Sequence, residues 1–389
     1  MLKFFKTKEN KKDSKKYLDR LNRVIKDQDF QVIVLVISVI AATWLIKDLI
    51  SPPSGSFFDC PPTAPNQCEV VLDDLGPDES RAPRHLDGVL VDKQASSTRA
   101  LAVVLENYFE SRPASGLSQA SIVYETLAEG GITRFLALYD ASSSVEEIGP
   151  VRSCRTYYLN LAEEYQALFA HVGGSPACLD NIKRRAYDVY DLNQYFKAHY
   201  FWRNGRQAPH NVYTSSELLN EYLNEMAIDK EYEFESWLYK DGQDMVRLGF
   251  KTQPNVAKDE QGKNIVIDYS YANYKVEWQY DEVAKDYLRY LGGKVHQDKD
   301  GFKIRAKNII VQYVKTSLID KIGRLKMELE GRGEALVFQD GKVIKGYWKK
   351  PERGERTRFY CDEDDEEIAL NPGVTWVEIV PSDREVEWE

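Results

Sequence analysis

The sequence predicts an α+β protein: a mixed α/β N-terminal extracytoplasmic domain followed by a smaller β-rich domain, with one transmembrane helix before both. Three observations predict this architecture. An apolar run lies near the N-terminus, strand-like and helix-like segments alternate in the first half, and short β-like runs separated by turn signals fill the second half. The length of 389 residues suits two domains, and the 43% of hydrophobic residues predicts a globular core.

Residues 1–29 form a lysine-rich tail, and residues 30–50 form the predicted transmembrane helix. The run FQVIVLVISVIAATWLI is apolar on every helical face and lies at the short end of the range for a membrane span. Because basic residues precede it, the positive-inside rule places the tail in the cytoplasm and the bulk of the chain outside. We therefore expect a signal-anchored, single-pass protein of the cell membrane. A cleaved signal peptide is the alternative, although Ala41 and Ala42 lie within the run and not after it.

Residues 51–83 are predicted to be a Pro-rich linker that holds the folded part off the membrane. Cys60 and Cys68 in this linker either form a disulfide or remain free thiols. Cys154, Cys178 and Cys361 are left, so at least one cysteine is unpaired. None has a CxxC partner, and we expect no metal and no cofactor.

The first folded domain is assigned to residues 84–234 and alternates strands with helices. The predicted strands and helices are Leu101–Leu105, Ile122–Leu127, Ile132–Tyr139, a helix over 156–166, Leu168–Val172, a helix capped by Ser175 with Pro176 at its first position, and a helix that a capping box of Thr214 and Glu217 opens. The second and third of these strands flank Glu129-Gly130-Gly131, which is a hairpin signal.

The hairpin register predicts one ion pair. If the turn is centred between Glu129 and Gly130, Glu125 lies opposite Arg134, and a carboxylate meets a guanidinium on one face of the sheet. A structural ion pair is the favoured interpretation of this contact. Glu129 lies in the turn itself, where it can act chemically or remain solvated.

Several residues after the hairpin suit an anionic ligand. Arg152 and Arg155 in PVRSCR, with Arg203, can make forked hydrogen bonds to phosphate or carboxylate, or they pair with local acids. The turn Gly173-Gly174-Ser175 joins a strand to a helix, so its amides can bind an anion, or it is only a tight turn. Trp202 can stack on a sugar, or it packs in the core.

Four side chains are candidates for acid–base chemistry: Glu125, Glu129, His171 and His210. His171 ends a strand beside the Gly-Gly turn, and His210 lies next to Asn211 in an APHN loop; histidines in such places are more often hydrogen-bonded structural residues. The sequence contains neither a GxSxG nor an SxxK motif, which argues against a serine hydrolase.

The second domain is assigned to residues 235–389. Runs such as NIVIDYSY, YKVEWQY, NIIVQYV and VTWVEIV are β-like, and turn signals such as Asp300-Gly301 and Asp340-Gly341 separate them. These runs predict a small barrel or sandwich.

Long segments of the chain resemble the YerB-like family of bacterial lipoproteins, whose two halves are both domains of unknown function. The resemblance rests on RPASGLSQASIVYETLAEGGITRFLALY, EEIGPVRSCRTYYLNLAEEY, HVGGSPACL, YFWRNGRQAPHNVYTS, AKNIIVQYV, GKVIKGYWKK and LNPGVTWVEIVP. It implies a mixed α/β domain, a β-rich domain and an envelope location, and it implies no reaction. Family members usually carry a lipid anchor on an N-terminal Cys, whereas this chain has the apolar run instead.

These observations leave three hypotheses. The first is an envelope protein whose N-terminal domain binds an anionic cell-wall component, such as a glycan, a peptide or a teichoic-type polymer. The second is a cell-wall hydrolase that uses Glu and His side chains, with or without a metal. The third is a structural module that recruits other envelope proteins. The net charge of −10 argues against nucleic-acid binding in each case.

Overall fold

The computed structural model describes residues 80–240 and 260–389. The predicted tail, transmembrane helix and nearly all of the linker lie outside the described residues, as do Cys60 and Cys68. Among the residues that are described, no helix is long and apolar enough to cross a membrane. These residues belong to one compact unit, Gly76–Glu389.

Ten strands from both halves of the chain form one sheet. In spatial order they are Arg358–Cys361 (β20), Lys342–Lys350 (β19), Gly331–Gln339 (β18), Asn308–Val314 (β15), Thr375–Pro381 (β21), Ile122–Leu127 (β4), Thr133–Asp140 (β5), Ala100–Glu106 (β3), Leu168–His171 (β6) and Tyr190–Asn193 (β7). Strand β21 joins the halves, because it pairs in parallel with β15 on one side and with β4 on the other. Every residue of β3, β4, β5 and β21 is buried, as expected for central strands covered on both faces.

A smaller sheet covers one face of the large sheet. Its strands are Asn264–Asp268 (β10), Lys275–Asp281 (β11), Asp286–Leu291 (β12), Lys294–Val295 (β13), Arg305–Ala306 (β14) and Val386–Trp388 (β22). Burial alternates along β12, so one face of this sheet is packed. Trp278 of β11 packs against Trp376 of β21 with ring centroids 5.3 Å apart. The second half is β-rich, as expected, but it does not form a barrel or sandwich by itself. Five of its strands extend the large sheet, which it shares with the first half, and six form the smaller sheet packed on it.

Three two-stranded ribbons complete the β structure: Arg81–Pro83 (β1) with Leu90–Asp92 (β2), Trp202–Arg203 (β8) with Val212–Tyr213 (β9), and Thr316–Leu318 (β16) with Leu325–Met327 (β17). The described residues are thus mostly strand. The domain boundary near residue 234 remains a prediction. Strands from both sides of this position belong to one sheet.

The three α-helices of the described residues lie in the first half: Thr156–Glu163 (α1), Pro176–Lys183 (α2) and Ser216–Glu225 (α3). Ser175 caps α2 and Pro176 follows it, as predicted. The predicted cap of α3 is wrong by one residue. Ser215, not Thr214, accepts the amide of Leu218 at 3.2 Å, and the Thr214 side chain is directed to the carbonyl of Tyr200, to which its hydroxyl donates at 2.9 Å.

The predicted hairpin forms, but its register is shifted by one residue. Glu125 lies opposite Phe135, and Arg134 lies opposite Thr126. The turn is centred on Gly130, which adopts a left-handed φ of 71°, and not between Glu129 and Gly130. Since side chains alternate across a sheet, a shift of one residue places Glu125 and Arg134 on opposite faces. The predicted ion pair between them is therefore wrong.

Candidate functional site

The carboxyl ends of β3 and β6 lie side by side, because these strands are parallel neighbours. Ligands of open sheets commonly bind at such an edge. The segment Val151–Arg155, here called the arginine loop, crosses it. The amide of Arg152 donates to Val104 of β3 at 2.7 Å, and the carbonyl of Arg152 accepts the amide of Val172, just beyond β6, at 3.0 Å.

The Gly-Gly turn and a disulfide fasten the arginine loop. The amide of Cys154 donates to Gly173 at 3.0 Å, and the amide of Ser175 donates to Cys154 at 3.1 Å. The amide of Gly173 donates to Asn193 at 3.1 Å. The two turn amides thus hold protein groups in this structure, and the role of Gly173, Gly174 and Ser175 in anion binding remains a prediction.

Cys154 and Cys178 form a disulfide, with Cα atoms 6.1 Å apart, and Cys361 is a buried free thiol. The bond connects the arginine loop to α2. The sequence alone does not show that these two cysteines pair, because only folding brings positions 154 and 178 together.

Three arginines and two glutamates meet at this edge, and together they are called the arginine site: Arg134, Arg152, Arg155, Glu106 and Glu129. Arg152 forms an ion pair with Glu106, which ends β3. Arg155 makes a forked contact with Glu129, at 2.5 and 2.7 Å. Burial opposes ionisation of Glu129, but the hydrogen bond and charge of Arg155 outweigh it and lower the pKa of Glu129.

Arg134 is the arginine of this group without a carboxylate partner among the described residues. Its side chain is deeply buried, since the residue is only 3% exposed. One guanidinium nitrogen, Nη1, donates to the carbonyl of Ser153 at 3.3 Å, while Nε has no hydrogen-bond partner. Burial lowers the pKa of nearby Arg152, Glu106 raises it, and the charges of Arg134 and Arg155 lower it further. The site thus has one more positive charge than negative, and a buried cation of this kind is costly without a counter-ion.

His210 lies at the rim of the arginine site. Its Nδ1 is 3.1 Å from Glu106, its ring stacks on Tyr108 at 5.3 Å, and its side chain is 23% exposed. His171, in contrast, is fully buried. Its Nδ1 faces the carbonyl of Gly173 and its Nε2 faces Asp191, each at 2.7 Å, so neither ring nitrogen is open to a substrate.

Trp202, Arg203 and Asn211 lie together on the ribbon β8–β9 and beside it. Arg203 donates to the side chain of Asn211 at 2.8 Å, and the Trp202 ring stacks on Tyr213 at 6.2 Å. The ribbon reaches the arginine loop through a bond from the amide of Val151 to Val212, at 2.7 Å.

Glu125 lies apart from the arginine site, on the face covered by the smaller sheet. It forms a fully buried ion pair with Arg289 of β12. Glu125 is therefore part of a structural ion pair, but its partner is Arg289 and not Arg134. Its strand neighbour Glu378 accepts hydrogen bonds from Tyr269 at 2.9 Å and Trp278 at 2.8 Å.

Glu106 is the site residue that sequence reasoning missed. The predicted strand ended at Leu105, one residue before it. A charged residue directly after a wholly apolar strand was the available signal, because strand ends are where polar side chains reach a sheet edge.

Comparisons with known proteins agree on one family. The model described as "Protein of unknown function (DUF3048) N-terminal domain" matches residues 86–229, and the corresponding C-terminal model matches residues 265–377. The "Putative lipoprotein YerB" of Bacillus subtilis (strain 168) is 35% identical over 300 residues, which cover 76% of this chain and 85% of the relative. A crystal structure of the YerB protein from Bacillus subtilis matches with a TM-score of 0.66 and 32% identity, over 78% of this chain and 98% of that chain. The chain therefore belongs to the YerB-like family, whose N- and C-terminal domains are both described as being of unknown function.

Proposed function

We propose that this protein is a membrane-anchored, extracytoplasmic envelope protein whose arginine site binds an anionic group of a cell-wall component. The observation that carries the proposal is Arg134, a buried guanidinium that forms no direct ion pair with a carboxylate among the described residues and whose Nε has no hydrogen-bond partner. Phosphate and carboxylate groups match the fork of an arginine. An anion that enters between Arg152 and Arg155 balances the extra charge.

Two observations support the envelope location. The described structure contains a buried disulfide, Cys154–Cys178, and disulfides persist mainly outside the reducing cytosol. The relative named as a lipoprotein covers most of this chain. The predicted helix over residues 30–50 supplies the anchor in this proposal.

The first test measures binding of residues 76–389 to purified cell wall and its soluble fragments. We expect saturable binding that weakens as salt rises. Arg134→Gln lowers the affinity about tenfold or more, because it removes a charged hydrogen-bond donor. The matched control is Arg184→Gln, which removes the exposed arginine at the C-cap of α2 that pairs with Asp180; it leaves the affinity unchanged.

Stability separates a binding role from a structural role for Arg134. An unpaired buried charge destabilises the free protein, so Arg134→Gln leaves the unfolding midpoint equal to or above that of wild type. A fall in the midpoint together with unchanged affinity would show that Arg134 is only structural, and the proposal would fail.

His210 supports a second candidate, a cell-wall hydrolase. A carboxylate that orients a partly exposed imidazole, as Glu106 does for His210, is the arrangement of a general base. Mass spectrometry of the wall fragments before and after incubation tests this. If the wild type produces shortened fragments and His210→Ala does not, hydrolysis is established. If the wild type leaves the fragments unchanged, binding alone is favoured.

A further inference from the structure

The ribbon β16–β17 ends in a cluster of exposed aliphatic side chains. Leu318 is 71% exposed, Ile319 is 55% exposed and Ile322 is 68% exposed. Single exposed aliphatic residues are ordinary on a protein surface, but three within five positions of one turn form a patch. This stretch, residues 318–324, is called the ribbon tip below.

Several backbone amides of the ribbon tip are hydrogen-bonded within the tip. The carboxylate of Asp320 accepts the amides of Ile322 at 2.9 Å and Arg324 at 3.1 Å, and it also accepts the Arg324 guanidinium at 2.9 Å. The amide of Ile319 donates to the carbonyl of Arg324 at 2.9 Å, which closes the turn. Each of these internal bonds lowers the cost of moving the turn out of water.

Basic side chains flank the aliphatic patch, and three of the four form ion pairs within the ribbon: Lys315 and Lys326 with Glu328, and Arg324 with Asp320. Residues 315–328 contain four basic residues and two acidic ones, a net charge of +2, whereas the whole chain has a net charge of −10. The charged residues are Lys315, Asp320, Lys321, Arg324, Lys326 and Glu328. Aliphatic side chains at a tip with lysines behind them match the boundary between the acyl chains and the headgroups of an anionic bilayer.

Another hairpin of the same protein shows that this composition is not a general property of its turns. The turn between β11 and β12 has one exposed aliphatic residue, Val283, which is 95% exposed. Asp281, Glu282, Lys285 and Asp286 surround it, a net charge of −2. An acidic turn of this kind is repelled by an anionic surface.

We propose that the ribbon tip inserts into the surface of an anionic lipid bilayer, as a membrane contact additional to the predicted N-terminal anchor. The tip lies beside the arginine site, since Gly323 approaches the backbone of Gly130, next to Glu129. Leu318, Ile319 and Ile322 enter the interfacial layer, and the lysines lie among the lipid phosphates. A bilayer fits better than a protein groove, since the patch is basic within an acidic protein. The predicted helix over residues 30–50 also keeps this unit within linker reach of a membrane, where even a weak contact is occupied.

The test uses residues 76–389, which lack the predicted anchor. We expect this part to fold without the rest, because it is one compact unit and a structure similar to 78% of this chain accounts for 98% of the crystallised YerB chain. The fraction of protein that sediments with vesicles is measured for two compositions. One is a mixture of anionic phosphatidylglycerol with neutral phosphatidylcholine, and the other is phosphatidylcholine alone. We expect binding to the anionic vesicles that falls as salt rises, and weak binding to the neutral ones.

Two variants locate the contact. The triple variant lowers vesicle binding about tenfold or more; it carries Leu318→Ser, Ile319→Ser and Ile322→Ser. The control variant, Val283→Ser, leaves vesicle binding unchanged. All of these side chains are exposed, so we expect equal unfolding midpoints. No binding by the wild type, or equal binding by the triple variant, would overturn the proposal. Arg134→Gln should bind vesicles like the wild type; loss of binding in that variant would place the contact at the arginine site instead and would also overturn it.

Discussion

Two glutamates share one arginine between the two sheets. Glu125 and Glu378 are direct neighbours on β4 and β21, and both side chains are fully buried beside Arg289. One guanidinium cannot neutralise two carboxylates. Burial and the charge of Glu125 raise the pKa of Glu378 to about 8, even though Arg289, Trp278 and Tyr269 act in the opposite direction.

This pair predicts that stability depends on pH. The pKa of Glu378 is raised on folding, so its contribution is fully present below the ordinary value of 4.5 and is lost as the pH rises towards about 8. Glu378→Gln removes that proton equilibrium. We expect the stability of the variant relative to wild type to increase with pH across this window, measured by urea unfolding at several pH values. Parallel curves for the two proteins would contradict the prediction. The other ionisable groups near this pair, Tyr269 and His296, are unchanged in the variant.

At the scale of elements, the arginine loop has no regular structure of its own, yet it is fixed at both ends. Backbone bonds connect it to β3 and to the segment after β6, and the disulfide connects it to α2. A fixed loop keeps its guanidinium groups in place before a ligand arrives, so less entropy is lost on binding.

Removal of the disulfide should therefore affect both stability and binding. Cys154→Ser/Cys178→Ser opens a covalent loop with a sequence separation of 24, and we expect a loss of about 3 kcal/mol in the free energy of unfolding. Affinity for wall fragments also falls, because the arginine loop gains freedom. Cys361→Ser is the control: it alters a buried thiol elsewhere and should leave the affinity unchanged. Full affinity in the disulfide-free protein would show that backbone bonds alone position the loop.

At the scale of the whole molecule, the two halves depend on each other. β21 lies between β15 and β4, and all its residues are buried. On the opposite face from the Glu125 cluster, Glu164 accepts hydrogen bonds from Lys350, Arg356 and Thr357 of the second half, at 2.8 to 3.0 Å. Separation of the halves exposes an apolar strand edge and leaves buried charges unpaired.

A split chain tests this dependence. Residues 84–234 and 235–389 expressed separately should each fail to show a cooperative unfolding transition, and should aggregate through the exposed edges of β4 and β21. Co-expression of the two pieces should restore a soluble complex. A cooperative thermal transition for residues 84–234 alone would show that the first half is an independent domain.

Local structure was largely predictable and long-range contacts were not. The strand Ile122–Leu127 and the Ser175 cap follow from side-chain pattern and turn chemistry, which act over a few residues. The register of the hairpin depends on which residue lies at the turn centre. An error of one residue there pairs each residue of one strand with a residue whose side chain lies on the other face of the sheet. Arg289 could not be predicted as the partner of Glu125, because 164 positions separate them and only the packing of one sheet on the other brings them together.

The order of the strands also sets when the centre of the sheet can form. Translation proceeds from the N-terminus, and β21 follows every other strand of the large sheet in the order of the chain. Until the residues of β21 have been synthesised, β4 and β15 have no strand between them. A stop codon shortly before residue 375 would therefore remove the middle of the sheet and not a dispensable tail, so we expect late truncations to be as damaging as mutations deep in the core.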